Sequence, residues 1–225
     1  MTVTFWDRHV YKKREDIMPR IARFIEENGF YHIISRSLND THILKDDKDF
    51  IYFMKLASVA KKQYPFHLYH YAVMNTHFHF VIQAFSHEML SKGLSYIKWL
   101  YTSWCRKRYG WKGPLWRERY TSIPIENEDY LYNCGMYIEY NPVRAGICAN
   151  PADYRFSSYK KYHSGITDTI IDDYENDFNS NQYAMIDYTS DLAKDLFSRS
   201  IAVGSTLFIN KLKRFSMSLS GCPKK

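Results

Sequence analysis

The chain has 225 residues, 45% of them hydrophobic and 24% charged. That is enough for one domain with a real core plus appendages, and too apolar for a disordered chain. A formal charge of +7 and a pI near 9.1 favour a polyanionic partner, nucleic acid before an anionic membrane surface. No apolar run approaches the roughly 18–20 residues of a membrane span. None follows Lys12-Lys13-Arg14 as a secretory signal requires. A cytoplasmic, nucleoid-associated protein is therefore expected. Cys105, Cys134, Cys148 and Cys222 form no Cys-x-x-Cys and no zinc-site spacing with histidine, which fits free thiols in a reducing compartment.

Residues 1–17 read as a basic, aromatic-containing leader, and Met18-Pro19-Arg20 offers an alternative start. Phe30 to Arg36 predicts a first strand, followed by turn chemistry at Asn39-Asp40. Asp46 or Asp47 can cap a helix running to about Lys62, with Phe50, Phe53, Met54 and Ala57 on its apolar face. Phe66 to Met74 predicts a second strand. A turn at Asn75-Thr76 returns the chain into a third, His77 to Gln83. Ser86 precedes a helix whose apolar positions Met89, Leu90, Leu94, Ile97, Leu100 and Tyr101 recur near the helical period, ending by Gly110. Tyr120 to Ile125 predicts a fourth strand and Glu126 to Tyr140 a further helix, which Pro142 ends. This order predicts an α+β fold: a ferredoxin-like (RRM-like) antiparallel sheet with helices on one face, plus a C-terminal extension. Residues 18–160 form the expected domain.

Between Tyr162 and Asp195 there are eight acidic residues against one basic, and from Leu196 to Lys225 six basic and no acidic. The segment 161–195 is expected to be a flexible acidic linker, and 196–225 a basic amphipathic helix and tail.

The chemical interest centres on His77-Phe78-His79. Side chains alternate along a strand, so the two imidazoles share a face while Phe78 points the other way. Such a pair can bite one divalent cation, although a lone His-x-His is commonly just a solvated sheet face. Tyr137 and Asn141 lie one turn apart on one helix face. If that helix crosses the histidine face, Asn141 can add a carbonyl oxygen ligand and bring the Tyr137 hydroxyl near the ion. Two imidazoles with an amide oxygen and a phosphate substrate suit Mg2+ or Mn2+ better than zinc.

His77-Phe-His79 together with Tyr137-Ile-Glu-Tyr-Asn141-Pro-Val-Arg-Ala-Gly146 resembles the single-tyrosine HUH transposases, of the IS200-like family. Met18-Pro-Arg-Ile-Ala-Arg23, Tyr31-His-Ile-Ile-Ser-Arg36 and Gly113-Pro-Leu-Trp-Arg-Glu-Arg119 are similar to their REP-associated branch. The resemblance covers about residues 18–160. It implies a single-strand DNA endonuclease and ligase, with a metal at His77, His79 and Asn141 and with Tyr137 as nucleophile. It also implies a 5′-phosphotyrosine intermediate, cleavage near DNA hairpins, and a homodimer or monomer. Insertion-sequence relatives usually carry Gln where this chain has Asn141. That fits the REP-associated branch and keeps a domesticated nuclease of repeated palindromes as an alternative.

A nucleic-acid surface is visible independently. Trp99, Trp104, Trp111 and Trp116 are interleaved with Lys98, Arg106, Lys107, Arg108, Lys112, Arg117 and Arg119, the pairing of stacking faces and phosphate-tracking cations that single strands require. Trp99 and Trp104 are expected to belong to the core, and Trp111 to Arg119 to bind. Arg36 and Arg144 complete the expected DNA contacts. A passive single-strand binder and a metal-dependent hydrolase using water remain as competing readings.

Overall fold

The computed structural model describes residues 26–174 and 187–220, with side chains through Arg214. The leader, the Met18 motif and the tail with Cys222 lie outside the described residues. Four strands, β1 (Gly29–Arg36), β2 (Phe66–Val73), β3 (His77–Ala84) and β4 (Thr121–Ile125), form one antiparallel sheet in the order β2-β3-β1-β4. Between them run α1 (Asp47–Gln63), joining β1 to β2, and α2 (His87–Tyr109), joining β3 to β4. This is the ferredoxin-like arrangement.

The helix ends are where capping chemistry puts them. The Asp46 side chain accepts from the Asp49 amide, Ser86 from that of Met89, and Gly110 closes α2 in the left-handed region. The next helix, α3 (Glu128–Glu139), starts later than expected because Asn127 caps it, accepting from the Tyr130 amide. Glu126 is used elsewhere: its carboxylate accepts from the Ser205 amide and, at 3.0 Å, the Ser205 hydroxyl. Beyond Tyr140 the chain takes a further helical turn, α4 (Asn141–Arg144), with Pro142 in its first turn, where a missing N–H costs nothing. Asn141 thus sits just past α3 rather than within it.

Strand alternation divides the molecule into two cores. Tyr31, Ile33, Phe78, Phe80 and Ile82 face α1 and α2, around a fully buried Phe53 that meets Phe78, Phe80, Tyr101 and Trp116. Ile34 and Val81 face the other way, with Leu131, Cys134, Tyr137 and Ile138 of α3. So α1 and α2 fill one face as expected, and α3 adds a third layer on the face that carries His77 and His79.

The acidic segment is not a loose linker where it is described. After α5 (Tyr159–Ser164), Asp172 pairs with Leu68 of β2 through its amide, at 2.9 Å, and its carboxylate, at 2.7 Å, and takes Lys61 at 2.6 Å. Ile170 and Ile171 are buried. Further on, α6 (Asp191–Lys194) and the π-turn Asp195–Arg199 bury Ala193 and Phe197 against α3, and Val203 pairs with the edge of β4. Burial of a few apolar side chains holds this acidic chain down despite its charge. Residues 175–186 lie outside the described residues. The basic end forms the expected helix, α7 (Thr206–Ser220). Among the described residues no helix is long and apolar enough to cross a membrane.

Candidate active site

The His77 and His79 rings lie 5.0 Å apart on β3 at 78° to one another. Opposite them in β1 are Arg36 and Ile34, in register. Both rings have their Nδ1 engaged: His77 with the Thr76 hydroxyl at 2.7 Å, His79 with Nε2 of His32 at 2.8 Å. His79 Nε2 is buried with no hydrogen-bond partner. Asn141 donates its amide to the Tyr137 and Ile138 carbonyls, at 3.4 and 3.2 Å, which leaves its carbonyl oxygen available.

Burial holds all three imidazoles neutral. It pushes His32 down to about 4, with Arg36 adding to the effect, and His77 down to about 3, with Arg36 and Arg144 adding. His79 lies well below its ordinary value through burial first, then its histidine and arginine neighbours. Neutral imidazole is the form that ligates metals. An orphaned, buried Nε2 beside a second imidazole fits a divalent cation. No group of three His, Cys, Asp or Glu suited to a metal exists among the described residues, so a cation held by the two histidines would need an oxygen ligand from another residue type.

Tyr137 projects from α3 toward this face and is 1% exposed. The Arg144 guanidinium lies 4.6 Å from its ring centroid, Phe197 stacks on it at 5.3 Å, and His32 meets it edge-on at 6.3 Å. Tyr140 turns away, against Tyr159 and Tyr188. It packs on α5 and the C-terminal segment.

The orientation of α3 is set by a buried polar group that sequence reading missed. Glu139 is fully buried; His70 of β2 contacts Oε1 at 2.7 Å, Ser158 donates to the same oxygen, and His163 lies 3.6 Å from Oε2. Burial pushes the Glu139 carboxyl up, but His70, His163 and Ser158 outweigh it and keep it below its ordinary value. Removing either partner of such a buried pair costs several kcal/mol, roughly 3–5. Gly135 lets His70 approach, since a Cβ there would collide with the ring. His32 and Phe197 were missed as well. Only the pairing of β1 with β3 brings His32 beside His79, and only the return of the chain after residue 187 brings Phe197 onto Tyr137.

The expected DNA-binding residues divide. Arg36 and Arg144 stand near His77 and Tyr137, with Arg117 beside Arg36. Arg117 donates its amide to the Arg36 carbonyl at 3.0 Å, and burial, with Arg117 and Arg144 nearby, lowers the Arg36 guanidinium. Arg106, Lys107, Lys112 and Arg119 are exposed. Lys98 braces the loop by donating to the Glu118 and Arg119 carbonyls at 2.7 and 3.0 Å. Arg108 is committed to the fold: it is bound to Asp46 and Asp49 at 2.5 Å each and lies over Trp104 and Tyr109.

The tryptophans reverse part of the expectation. Trp99 is 65% exposed, not core, because it lies on the solvent face of α2. Trp116 packs on Phe53 and Phe78 and donates to the Lys98 carbonyl at 3.2 Å, and Trp111 packs against the same core. A loop placed across the α1–α2 core buries its apolar rings whatever its cations do. Trp104 is held as expected, stacked on Tyr52 and donating to Asp49 at 2.8 Å.

Comparison with known proteins gives three findings. No curated protein matches the chain. Among solved structures, a REP-associated tyrosine transposase bound to a REP hairpin is similar in fold, at 20% identity and a TM-score of 0.57, over 75% of this chain and 99% of the other. A candidate transposase from Deinococcus radiodurans R1 aligns at 18% identity and a TM-score of 0.38, over 54% of this chain and 96% of its own. The profile of the family described as "Transposase IS200 like" matches residues 26–141, from just before β1 to Asn141 and so across both histidines and Tyr137. The chain belongs to the IS200-like transposase family.

Proposed function

We propose that this transposase cleaves and rejoins single-stranded DNA through a covalent bond to Tyr137, at sites beside hairpins. The observation that carries the reading is the meeting of Tyr137 and the unpartnered His79 Nε2 on one sheet face, both against His32. The Tyr137 oxygen attacks the scissile phosphorus and loses its proton. The bond from phosphorus to the 3′ oxygen breaks, and that oxygen leaves as a hydroxyl once protonated. The 5′ phosphate stays on the tyrosine, and attack by another 3′ hydroxyl restores a phosphodiester. Bound at His77, His79 and Asn141, Mg2+ or Mn2+ supplies charge neutralisation at the scissile phosphate. Arg36 and Arg144 add fixed positive charge where it develops, and Arg117 grips the adjoining backbone. Because Tyr137 is covered by Phe197 and Arg144, one of these side chains must move aside for a strand to enter.

The hairpin in the REP-associated structure supports a hairpin-bearing single strand as substrate here. A labelled hairpin oligonucleotide incubated with the protein and Mn2+ tests the reading. A DNA adduct surviving denaturing electrophoresis, lost in Tyr137→Phe and retained in Tyr140→Phe, is expected. Cleavage without an adduct means a water-using hydrolase, and binding without cleavage means a passive module.

A further inference from the structure

His32 stands behind the site, within the Tyr31–Arg36 stretch, and has no part in the chemistry assigned to Tyr137, His77, His79 and Asn141. It is fully buried, and its ring lies 5.0 Å from that of His79, the planes 29° apart. Its Nδ1 is 2.7 Å from the Phe197 carbonyl oxygen and its Nε2 is 2.8 Å from His79 Nδ1. These contacts determine where the protons are. A carbonyl oxygen only accepts, so His32 carries its proton on Nδ1. In a neutral ring Nε2 is then an acceptor, and the proton between the two histidines belongs to His79 Nδ1. That leaves His79 Nε2 with a bare lone pair, and it is the atom with no partner. The other tautomer of His79 would set two lone pairs against each other at 2.8 Å and put an unpaired N–H in a buried site.

We propose that His32 is a positioning residue that holds His79 in the Nδ1–H tautomer, so that Nε2 is presented to the cation, and that the Phe197 main-chain carbonyl fixes His32 in turn. The inference rests on the reading of His77, His79 and Asn141 as a cation site. The two ligand histidines are not equivalent in this respect. His77 Nδ1 meets the Thr76 hydroxyl, which can donate or accept and so dictates no tautomer. Only His79 is set by a directional chain. That chain ends in the C-terminal segment 191–203, so a segment remote in sequence contributes to the cation site through main chain alone.

The experiment is Mn2+ binding to the full chain after chelator treatment, followed by the electron-paramagnetic-resonance signal of free Mn2+. His32→Phe keeps an aromatic ring and removes the acceptor; His32→Gln keeps an acceptor oxygen. His32→Phe is expected to weaken Mn2+ binding roughly ten- to hundredfold, the usual penalty for losing an outer-shell partner. His32→Gln should recover much of that loss. Long-range 15N–1H spectra of the metal-free wild-type protein should show His79 protonated on Nδ1, a readout that holds even where His32→Phe folds poorly. An Nε2–H tautomer there overturns the proposal. So does wild-type Mn2+ affinity in a folded His32→Phe when His79→Ala has lost binding. Unchanged affinity in both His77→Ala and His79→Ala overturns the cation-site reading itself, and this role of His32 with it.

Discussion

Removing the Tyr137 hydroxyl should abolish the chemistry while leaving the stability of the protein nearly unchanged. The residue is 1% exposed, and its contacts among the described residues are made by the ring: Arg144 over one face, Phe197 stacked, His32 at the edge. The hydroxyl itself is not among the buried polar side-chain atoms that lack a partner, so it carries no desolvation penalty of that kind. Tyr137→Phe keeps the stack and breaks no hydrogen bond among the described residues, so a change within about 0.5 kcal/mol is expected, or at most about 2 °C in Tm for a chain of this size. Tyr154 is the internal control. It is also buried, but its hydroxyl donates to the Val73 carbonyl at 2.6 Å, so Tyr154→Phe should lose about 1–3 kcal/mol by stranding that acceptor. Urea and thermal melts of the three proteins with chelator present make the comparison, and the adduct assay runs alongside. If Tyr137→Phe melts as low as Tyr154→Phe, the Tyr137 hydroxyl is tied into the fold, and the picture of a nucleophile left free for its chemistry is wrong.

Trp99→Ala should leave stability within about 0.5 kcal/mol yet lose about 1–3 kcal/mol of single-strand affinity if the exposed ring stacks a base. Trp116→Ala should instead cost about 3–5 kcal/mol of stability; urea melts and a fluorescence titration separate the two. Arg117→Ala should make the plot of log affinity against log salt shallower by about 0.7, one single-strand phosphate contact, and an unchanged slope removes Arg117 from the interface. Acid should destabilise the metal-free protein. The unfolded chain takes up protons below about pH 6.5, while His32 refuses them down to about 4 and His77 to about 3. Stability therefore falls as pH falls across that window, by up to about 1.4 kcal/mol per pH unit for each histidine. Glu139, whose pKa is lowered, contributes only below the ordinary carboxylate range. Equal urea midpoints at pH 7.5 and 5.5 would contradict this.

The sequence by itself determined the element order, the fold class and the face on which His77 and His79 sit. Each of these follows from local periodicity: alternation in β3 sends Phe78 to one core and both histidines to the other face whatever the rest of the chain does. Tertiary structure alone decided what surrounds those residues. The register of β1 against β3 puts His32 behind His79, and a strand slip of one residue would turn it to the opposite face. The burial of Glu139 against His70 and Ser158, which aims α3, needs three segments far apart in the chain. Trp99 faces solvent and Trp116 packs on Phe53 and Phe78 because helix phase and loop path, not composition, choose which ring meets solvent. The described start of the acidic segment, read as a linker from its charge, lies on the domain because Asp172, Ile170 and Ile171 find partners on β2, α1 and the core. Contacts between residues distant in sequence leave no local periodicity, and those contacts hold the tyrosine, the histidines and the arginines at one site.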